Sequence, residues 1–236
     1  MKSFYQDYYN KWEVIKGEDE LLKNFSSTVG EIENLVVPTN YMDLWRQINL
    51  PIQKLKAKNH GLSAEKARKC FGQLHKRAYF LTRVANFFNV KNILEVGTAE
   101  GWQFFSFAEY AKEVDGHVWS CDLRDVRHKE SSEKYNNTTF HMGDSKSLKD
   151  VVGNEKIDLF YIDGSHDKGS VLRDVLNLRE LQSDDCIWVF DDYDFRFGCF
   201  QDIKFICDQA ENYKVYSVGE TASGRPNHQV IVFEQI

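Results

Sequence analysis

From Asn92 onward the chain alternates short apolar segments with longer stretches of helical character, and this alternation constrains the fold more than any other feature. Continuous apolar strands joined by helices are typical of a parallel sheet that is covered on both faces. Right-handed crossovers then produce a doubly wound arrangement. The predicted strands are Ile93–Val96, His117–Cys121, Thr138–Met142, Ile157–Ile162 and Cys186–Phe190, and the predicted helices are Trp102–Lys112, Arg124–Tyr135, Ser145–Val152 and Lys168–Leu181.

The end of the chain follows a different pattern. Phe200–Gln209 is predicted to be a helix, and Lys214–Val218 and Gln229–Glu234 are predicted to be strands. The turn-rich connection between these strands, residues 220–227, is too short for a crossover helix, so the strands should pair antiparallel. We therefore predict an α/β fold with a doubly wound, mostly parallel, seven-stranded Rossmann-like sheet and a C-terminal antiparallel hairpin.

Residues 1–90 are predicted to form an N-terminal helical cap on a domain that spans residues 91–236. Apolar side chains recur at helical spacing from Glu65 to Phe88, which predicts one long helix, and Asp43–Ile48 predicts a shorter one. An aromatic cluster near the N-terminus either closes over a substrate or forms a homo-oligomer contact, since exposed aromatic groups mark such surfaces. The cluster consists of Tyr5, Tyr8, Tyr9 and Trp12.

Composition argues against several classes of protein. The 30 basic and 36 acidic residues give a net charge of −6, which disfavours a nucleic-acid partner. The five cysteines form no Cys-x-x-Cys pair, as expected of core residues in a reducing compartment, and we predict a cytoplasmic location. No apolar run approaches the roughly 18 residues that a membrane span requires.

A glycine turn at the end of the first predicted strand indicates a nucleoside cofactor. In the pattern Glu95-x-Gly97-x-x-x-Gly101, the first glycine permits a tight turn and the second lets a ligand approach the free N–H groups of the next helix. Ala99 takes the place of the middle glycine of nicotinamide proteins, which disfavours close approach of a pyrophosphate. Asp122 ends the second strand, where an acid can accept both hydrogen bonds of a ribose diol.

Gly143, Asp144 and Ser145 follow the third strand, where a side chain can reach an adenine amino group. Each of these features also has a purely structural interpretation. A glycine at a strand–helix junction can be only a turn, and Asp144 with Ser145 can cap the following helix. Their occurrence in order, each at the carboxyl end of a strand, favours the cofactor interpretation.

Three carboxylates follow the fourth and fifth predicted strands. Asp163 ends one strand, and Asp191 and Asp192 end the other. Neighbouring strands lie about 5 Å apart, so these acids would repel one another unless a cation lay between them. Oxygen ligands suit Mg²⁺ or Mn²⁺, and the sequence therefore predicts a metal site formed by Asp163, Asp191 and Asp192.

His166 lies on the loop that leaves the same strand end as Asp163. A histidine there can remove a proton from a hydroxyl near neutral pH, and a neighbouring metal ion would lower the pKa of that hydroxyl. Two alternatives stay open. His166 can cap a helix that begins near Asp167, and a lysine or tyrosine of the cap can act as the base instead.

The order of these motifs resembles that of class I S-adenosylmethionine-dependent methyltransferases, from about residue 90 to residue 236. The resemblance implies that Gly97 and Gly101 border the methionine part of S-adenosylmethionine, that Asp122 holds the ribose hydroxyls and that Asp144 faces adenine. The full set of cofactor-binding residues that it implies is Glu95, Gly97, Thr98, Gly101, Asp122, Gly143, Asp144 and Ser145.

The acidic segments carry a narrower resemblance. Asp163-Gly164-Ser165-His166, followed by Asp191-Asp192-Tyr193, is similar to the metal-dependent O-methyltransferases that act on sugars and other natural-product hydroxyls. The resemblance implies Mg²⁺ at the acids and catalytic roles for His166 and Asp163. Catechol-type O-methyltransferases usually have Asn where this chain has Asp192, which favours the sugar-like branch.

The expected function is therefore Mg²⁺- or Mn²⁺-assisted methyl transfer from S-adenosylmethionine to a hydroxyl. The expected acceptor is a small molecule or glycosyl group with adjacent oxygens, because such oxygens can chelate the metal. Two other functions are compatible with parts of the pattern. One is a nicotinamide-dependent oxidoreductase acting on a sugar-like substrate, and the other is a non-catalytic S-adenosylmethionine-binding protein.

Overall fold

The computed structural model describes residues 13–16, 39–71, 74–209, 215–217, 229–232 and 236. The strands of this part of the chain are β1 (Glu13–Lys16), β2 (Asn92–Val96), β3 (His117–Asp122), β4 (Thr138–Met142), β5 (Ile157–Ile162), β6 (Gln182–Phe190), β7 (Val215–Ser217) and β8 (Val230–Val232). They form one sheet in the order β1-β7-β8-β6-β5-β2-β3-β4. The strands from β2 to β6 pair parallel, and β8 pairs antiparallel with β6.

The helices of the described residues are α1 (Thr39–Asn59), α2 (Ala64–Phe71), α3 (Leu74–Phe87), α4 (Trp102–Glu113), α5 (Lys129–Lys134), α6 (Ser145–Val152), α7 (Ser170–Leu178) and α8 (Phe200–Gln209). A short 3₁₀ turn at Arg179–Leu181 follows α7. The predicted helix Glu65–Phe88 corresponds to α2, which begins one residue earlier, and α3. Residues 72–73 between them lie outside the described residues. None of the described helices has the length and apolar character that crossing a membrane demands.

The sheet is buried on both faces, as its apolar strands predict. Along β5, Leu159 and Tyr161 face a core cluster shared with α1, α3 and α4. Phe160 and Ile162 face the opposite cluster, which is shared with α6, α7 and α8. The cap helices α1 and α3 thus pack on the same face as α4, which begins at the glycine turn.

Two predictions about local structure are wrong. The predicted helix Arg124–Tyr135 is helical only over Lys129–Lys134, because Arg127 donates its backbone and guanidinium N–H groups to Asp125 and thereby stabilises a turn. The sheet has eight strands instead of seven, because β1 pairs antiparallel with β7 at the edge. A polar four-residue strand leaves little periodicity in the sequence, and its partner is distant along the chain.

The C-terminal strands pair as predicted, because β7 and β8 run antiparallel. Their connection and the N-terminal aromatic cluster, in residues 218–228 and 1–12, lie outside the described residues. The registers of the parallel strands match Ile162 with Phe190, and Val96 with both Ile162 and Cys121. The residues that follow these strands therefore meet along one carboxyl edge of the sheet.

Candidate active site

The glycine turn after β2 is the tightest point of this edge. Gly97 has a φ of +96°, and a Cβ there would lie 2.0 Å from the carbonyl oxygen of Asp163. Gly101 has a φ of +89°, and a Cβ there would lie 2.5 Å from the ring of Phe105. Ala99 also takes a left-handed conformation, with a φ of +45°. The turn between β2 and α4 accordingly needs both glycines.

A cavity of about 560 Å³ lies over this turn, at the carboxyl ends of β2 to β5. A volume of this size is typical of small-molecule and cofactor sites. The predicted cofactor residues that line it are Gly97, Asp122, Gly143, Asp144 and Ser145. Glu95, Thr98 and Gly101 do not line this cavity, whereas Asp163 does.

Asp122 is held firmly at the cavity wall. Its Oδ2 accepts the Ala99 N–H at 2.8 Å, and its Oδ1 accepts the Arg124 N–H at 3.2 Å. Each carboxylate oxygen retains a lone pair that is free to accept from a diol. Asp122 is therefore both oriented by the glycine turn and able to bind a ribose.

Asp144 and Ser145 have structural roles as well as positions on the cavity wall. Asp144 is the N-cap of α6 and accepts the Ser147 N–H at 2.9 Å. Ser145 donates its hydroxyl to Asp174 of α7 at 2.6 Å, and burial raises the pKa of the Asp174 carboxyl. Asp174 and Arg173 also line the cavity. No motif marked these two residues in the sequence, because they lie within an ordinary amphipathic helix.

Glu95 supports the turn from behind. Its side chain is only 1% exposed and accepts the Ser120 hydroxyl at 2.7 Å. Ser120 is in turn 2.6 Å from the hydroxyl of Thr98. Burial raises the pKa of Glu95 to about 8, although the Ser120 hydrogen bond opposes this shift. Glu95 and Thr98 therefore do not line the cavity, and they affect it only by holding the backbone of the glycine turn in place.

Asp163, His166 and Asp192 come together at the ends of β5 and β6. Each offers a ligand atom, and these atoms lie within 4.8 Å of one another. The Nε2 of His166 is 2.7 Å from a carboxylate oxygen of Asp192. This hydrogen bond raises the pKa of His166; burial opposes the shift, and the negative charges nearby add to it. Asp192 has a left-handed φ of +59°, a conformation that aspartate tolerates better than most residues.

The His166 side chain is about half exposed and lies beside the ring of Phe197, with 4.7 Å between the ring centroids. The alternative role of His166 as a helix cap is not what the structure shows, since α7 begins at Ser170 with Gly169 as its N-cap. The imidazole is thus accessible from solvent and paired with an acid, as a proton-transfer group requires.

Asp191 has a partner that the sequence did not predict, and its role as a metal ligand stays a prediction. Its side chain is 2% exposed and forms an ion pair with Arg77 of α3. The Tyr161 hydroxyl donates to Asp191 at 3.2 Å and to Asp163 at 2.9 Å. Among the described side chains, the group with metal-ligand spacing contains His166 in place of Asp191. The sequence predicted three clustered acids but did not predict that the positive charge of Arg77 would lie beside two of them.

Arg77 was not identified from the sequence, although its position there indicates a buried charge. It lies three residues after Leu74 and four before Leu81, inside the apolar stripe of the predicted helix. A charged residue in such a stripe needs a buried partner of opposite charge. A second cap cation, Lys56 of α1, lies 3.6 Å from Glu100 of the glycine turn.

The comparisons with known proteins agree with this geometry. Residues 94–193 match a family described as a methyltransferase domain. That span contains the glycine turn, the cavity edge and the acids of β5 and β6. No curated protein matches the sequence significantly.

Solved methyltransferase structures share the fold at low sequence identity. An O-methyltransferase from Streptomyces achromogenes involved in tomaymycin synthesis, in complex with S-adenosylmethionine, aligns with a TM-score of 0.61, 13% identity and coverage of 93% of this chain and 100% of its own. A methyltransferase from Podospora anserina, bound to S-adenosylhomocysteine, aligns with a TM-score of 0.60 and 13% identity, covering 94% of this chain and 99% of its own.

An rRNA methylase from Streptococcus thermophilus also aligns, with a TM-score of 0.51 and 13% identity over 69% of this chain and 96% of its own. Structures that share this fold therefore include proteins named for different acceptors, and the fold does not specify the acceptor. The match to a methyltransferase family argues against the nicotinamide alternative. Residues 94–193 are a methyltransferase domain by this match, and the chain shares the fold of solved methyltransferases bound to S-adenosylmethionine or S-adenosylhomocysteine.

Proposed function

We propose that this methyltransferase acts on a hydroxyl of a small-molecule or glycosyl acceptor with adjacent oxygens. The observation that carries the proposal is the pair of His166 and Asp192, whose side chains lie 2.7 Å apart at the ends of β5 and β6. This pair adjoins Asp163, which also lines the cavity over the glycine turn. A proton acceptor and a cofactor cavity thus share one edge of the sheet.

The His166–Asp192 pair gives each nitrogen of the imidazole a role. When Nε2 donates its proton to Asp192, Nδ1 has a free lone pair and can accept the proton of the acceptor hydroxyl. S-adenosylmethionine supplies an electrophilic methyl group. The acceptor oxygen forms a bond to the methyl carbon, the carbon–sulfur bond breaks with its electron pair on sulfur, and the proton stays on His166. Asp192 stabilises the resulting imidazolium.

We propose Asp163 and Asp192 as the acids that hold a divalent ion, Mg²⁺ or Mn²⁺. Both side chains are largely buried, and carboxylate oxygens suit these hard cations. Such an ion, when bound, lowers the pKa of an acceptor hydroxyl. The third member of the cluster, His166, is then available either as a ligand or as the base. In this proposal it is the base.

On the cofactor side, we propose that Asp122 binds the ribose and that Asp144 lies at the adenine end, since both line the cavity. Gly97, Gly143 and Ser145 shape its walls, and Glu95, Thr98 and Gly101 hold the backbone around it. We further propose that residues 1–90, whose strand β1 joins the edge of the sheet, supply a helical cap that selects the acceptor, and that residues 91–236 form the catalytic domain. A homo-oligomer contact through the N-terminal aromatic cluster stays a prediction, as does a cytoplasmic location.

A methyl-transfer assay tests the proposal. Labelled S-adenosylmethionine is incubated with a panel of catechols, sugars and glycosylated natural products, with Mg²⁺, with Mn²⁺ or with EDTA. We expect transfer to a hydroxyl that EDTA suppresses, and a rate that falls roughly a hundredfold or more in His166→Ala. His117→Ala is the matched control, because His117 starts β3 at the opposite edge of the sheet.

Two outcomes would count against parts of the proposal. Full methyl transfer in the presence of EDTA would show that the reaction needs no divalent ion. Tight binding of S-adenosylhomocysteine without transfer to any acceptor would favour the non-catalytic alternative.

A further inference from the structure

We propose that Arg77 is a built-in counter-ion of the acidic edge. Its guanidinium, carried by the cap helix α3, takes Asp191 and one oxygen of Asp163 out of metal coordination. The site consequently holds a divalent ion less tightly than three clustered acids would. This inference rests on the metal part of the proposed function, and it assigns a positioning role to a residue of the cap.

The geometry of one nitrogen atom carries the inference. The Nη2 atom of Arg77 lies 2.8 Å from the Tyr161 hydroxyl and 3.0 Å from the Oδ2 atom of Asp163. The same nitrogen is in contact with the Oδ2 atom of Asp191. Three oxygens therefore surround a single positively charged group, which is the environment that a metal ion would otherwise require.

The Tyr161 hydroxyl contacts the same two carboxylate oxygens as Arg77. It lies 2.9 Å from Asp163 Oδ2 and 3.2 Å from Asp191 Oδ2, the two oxygens that also contact Arg77. Tyr161 comes from the core of β5 and is fully buried, so its position is fixed by the sheet. Arg77 and Tyr161 thus hold these two carboxylate oxygens from two sides.

Burial explains why Asp191 needs this partner. Its side chain is almost inaccessible to solvent, and a buried carboxylate requires a compensating charge. Arginine keeps its charge at every accessible pH and presents a planar set of donors. The face of the Trp102 ring, 5.0 Å from the guanidinium carbon, gives Arg77 further support.

A guanidinium and a metal ion that use the same oxygens compete by linkage, so removing one strengthens binding of the other. With Arg77 in place, the atoms at metal-ligand spacing belong to Asp163, His166 and Asp192. Without Arg77, Asp191 and the second oxygen of Asp163 become available as additional oxygen ligands. Affinity for a divalent cation rises with the number of charged ligands.

The test is Mn²⁺ binding to the full chain, measured by electron paramagnetic resonance without S-adenosylmethionine or acceptor. We expect Arg77→Gln to bind Mn²⁺ roughly tenfold more tightly than the wild type. Arg83→Gln, which changes another arginine of α3, should bind as the wild type does. Unchanged or weaker binding by folded Arg77→Gln would overturn the inference, as would an absence of Mn²⁺ binding in every variant.

A second pair of variants keeps the inference testable if Arg77→Gln does not fold. With Arg77 intact, Asp191→Asn should leave Mn²⁺ affinity unchanged, whereas Asp192→Asn should weaken it roughly tenfold or more, because a charged ligand is replaced by a neutral one. Equal losses in both variants would show that Asp191 is a ligand and would overturn the inference. The methyl-transfer assay with EDTA tests the proposed function separately, because Mn²⁺ binding is read here without any turnover.

Discussion

The two halves of the active-site edge are built in different ways. On the cofactor side, most of the residues that line the cavity follow their own strands directly, and Asp122 is held by the neighbouring glycine turn. On the acidic side, Asp163 and Asp191 are organised by Arg77, which lies 86 residues before Asp163 in the chain. One half is formed by the sheet itself, and the other depends on how the cap packs against the sheet.

We infer from this difference that cofactor binding and the chemical step depend on different residues. The cofactor half has fixed backbone geometry, because its glycines admit no other residue. The acidic half depends on charge balance among side chains, so a single substitution in the cap can change its electrostatics. We therefore expect substitutions on the cofactor side to affect cofactor affinity and those on the acidic side to affect metal binding and turnover.

The largest effect is expected for Gly97→Ala, since the new methyl group would overlap the Asp163 carbonyl. The variant should lose about 3 kcal/mol or more of unfolding free energy, together with binding of S-adenosylhomocysteine. Thermal unfolding and calorimetry measure the two losses. Gly169→Ala is the matched control: it takes the left-handed conformation, with a φ of +84° and a ψ of −5°, but a Cβ there meets nothing within 4 Å. It should lose only about 1 kcal/mol. Equal losses would contradict the steric account.

Asp163 lines the cavity of the cofactor half and also contacts Arg77 of the acidic half, so its substitution tests both halves. Asp163→Ala should abolish turnover, because it removes a proposed metal ligand and leaves Arg77 without one of its acids. Asp192→Asn should keep some turnover, since an amide oxygen can still orient His166. Steady-state rates with saturating Mg²⁺ provide the measurement. Metal-independent turnover by Asp163→Ala would refute the metal part of the proposal.

The sequence predicted the cofactor half of the edge better than the acidic half. The parallel sheet, the glycine turn and the position of Asp122 follow from local patterns, and the structure contains all three. The partner of Asp191 could not be predicted in the same way, because it depends on contact between elements that are distant in the chain. The position of Arg77 in an apolar stripe indicated a buried charge, but it did not indicate which acid would bind it.

The smallest effect concerns Glu95, which supports the cofactor side. Its pKa is raised by burial to about 8 in the folded protein, against an ordinary value of 4.5. The folded state therefore binds the proton more tightly, so stability should be full below about pH 4.5 and should fall as the pH rises towards 8.

Glu95→Gln, which resembles the protonated acid, should be more stable than the wild type at pH 8, by about 1 kcal/mol or more. At pH 4.5 the two proteins should differ little. Urea unfolding across this pH range, without cofactor, measures the effect, with the exposed Glu113→Gln as control. A wild-type stability that stays level between pH 5 and 8 relative to Glu95→Gln would show that Glu95 is ionised in the fold.

The separation of the two halves is tested most directly by calorimetric titration of S-adenosylhomocysteine into the wild type, Asp122→Ala and Arg77→Gln, with and without Mg²⁺. We predict that Asp122→Ala weakens binding roughly tenfold or more, through the loss of hydrogen bonds to the ribose. Arg77→Gln should bind as the wild type does, and Mg²⁺ should change neither result. Full binding by Asp122→Ala, or loss of binding in Arg77→Gln, would contradict the division of this edge into a cofactor half and an acidic half.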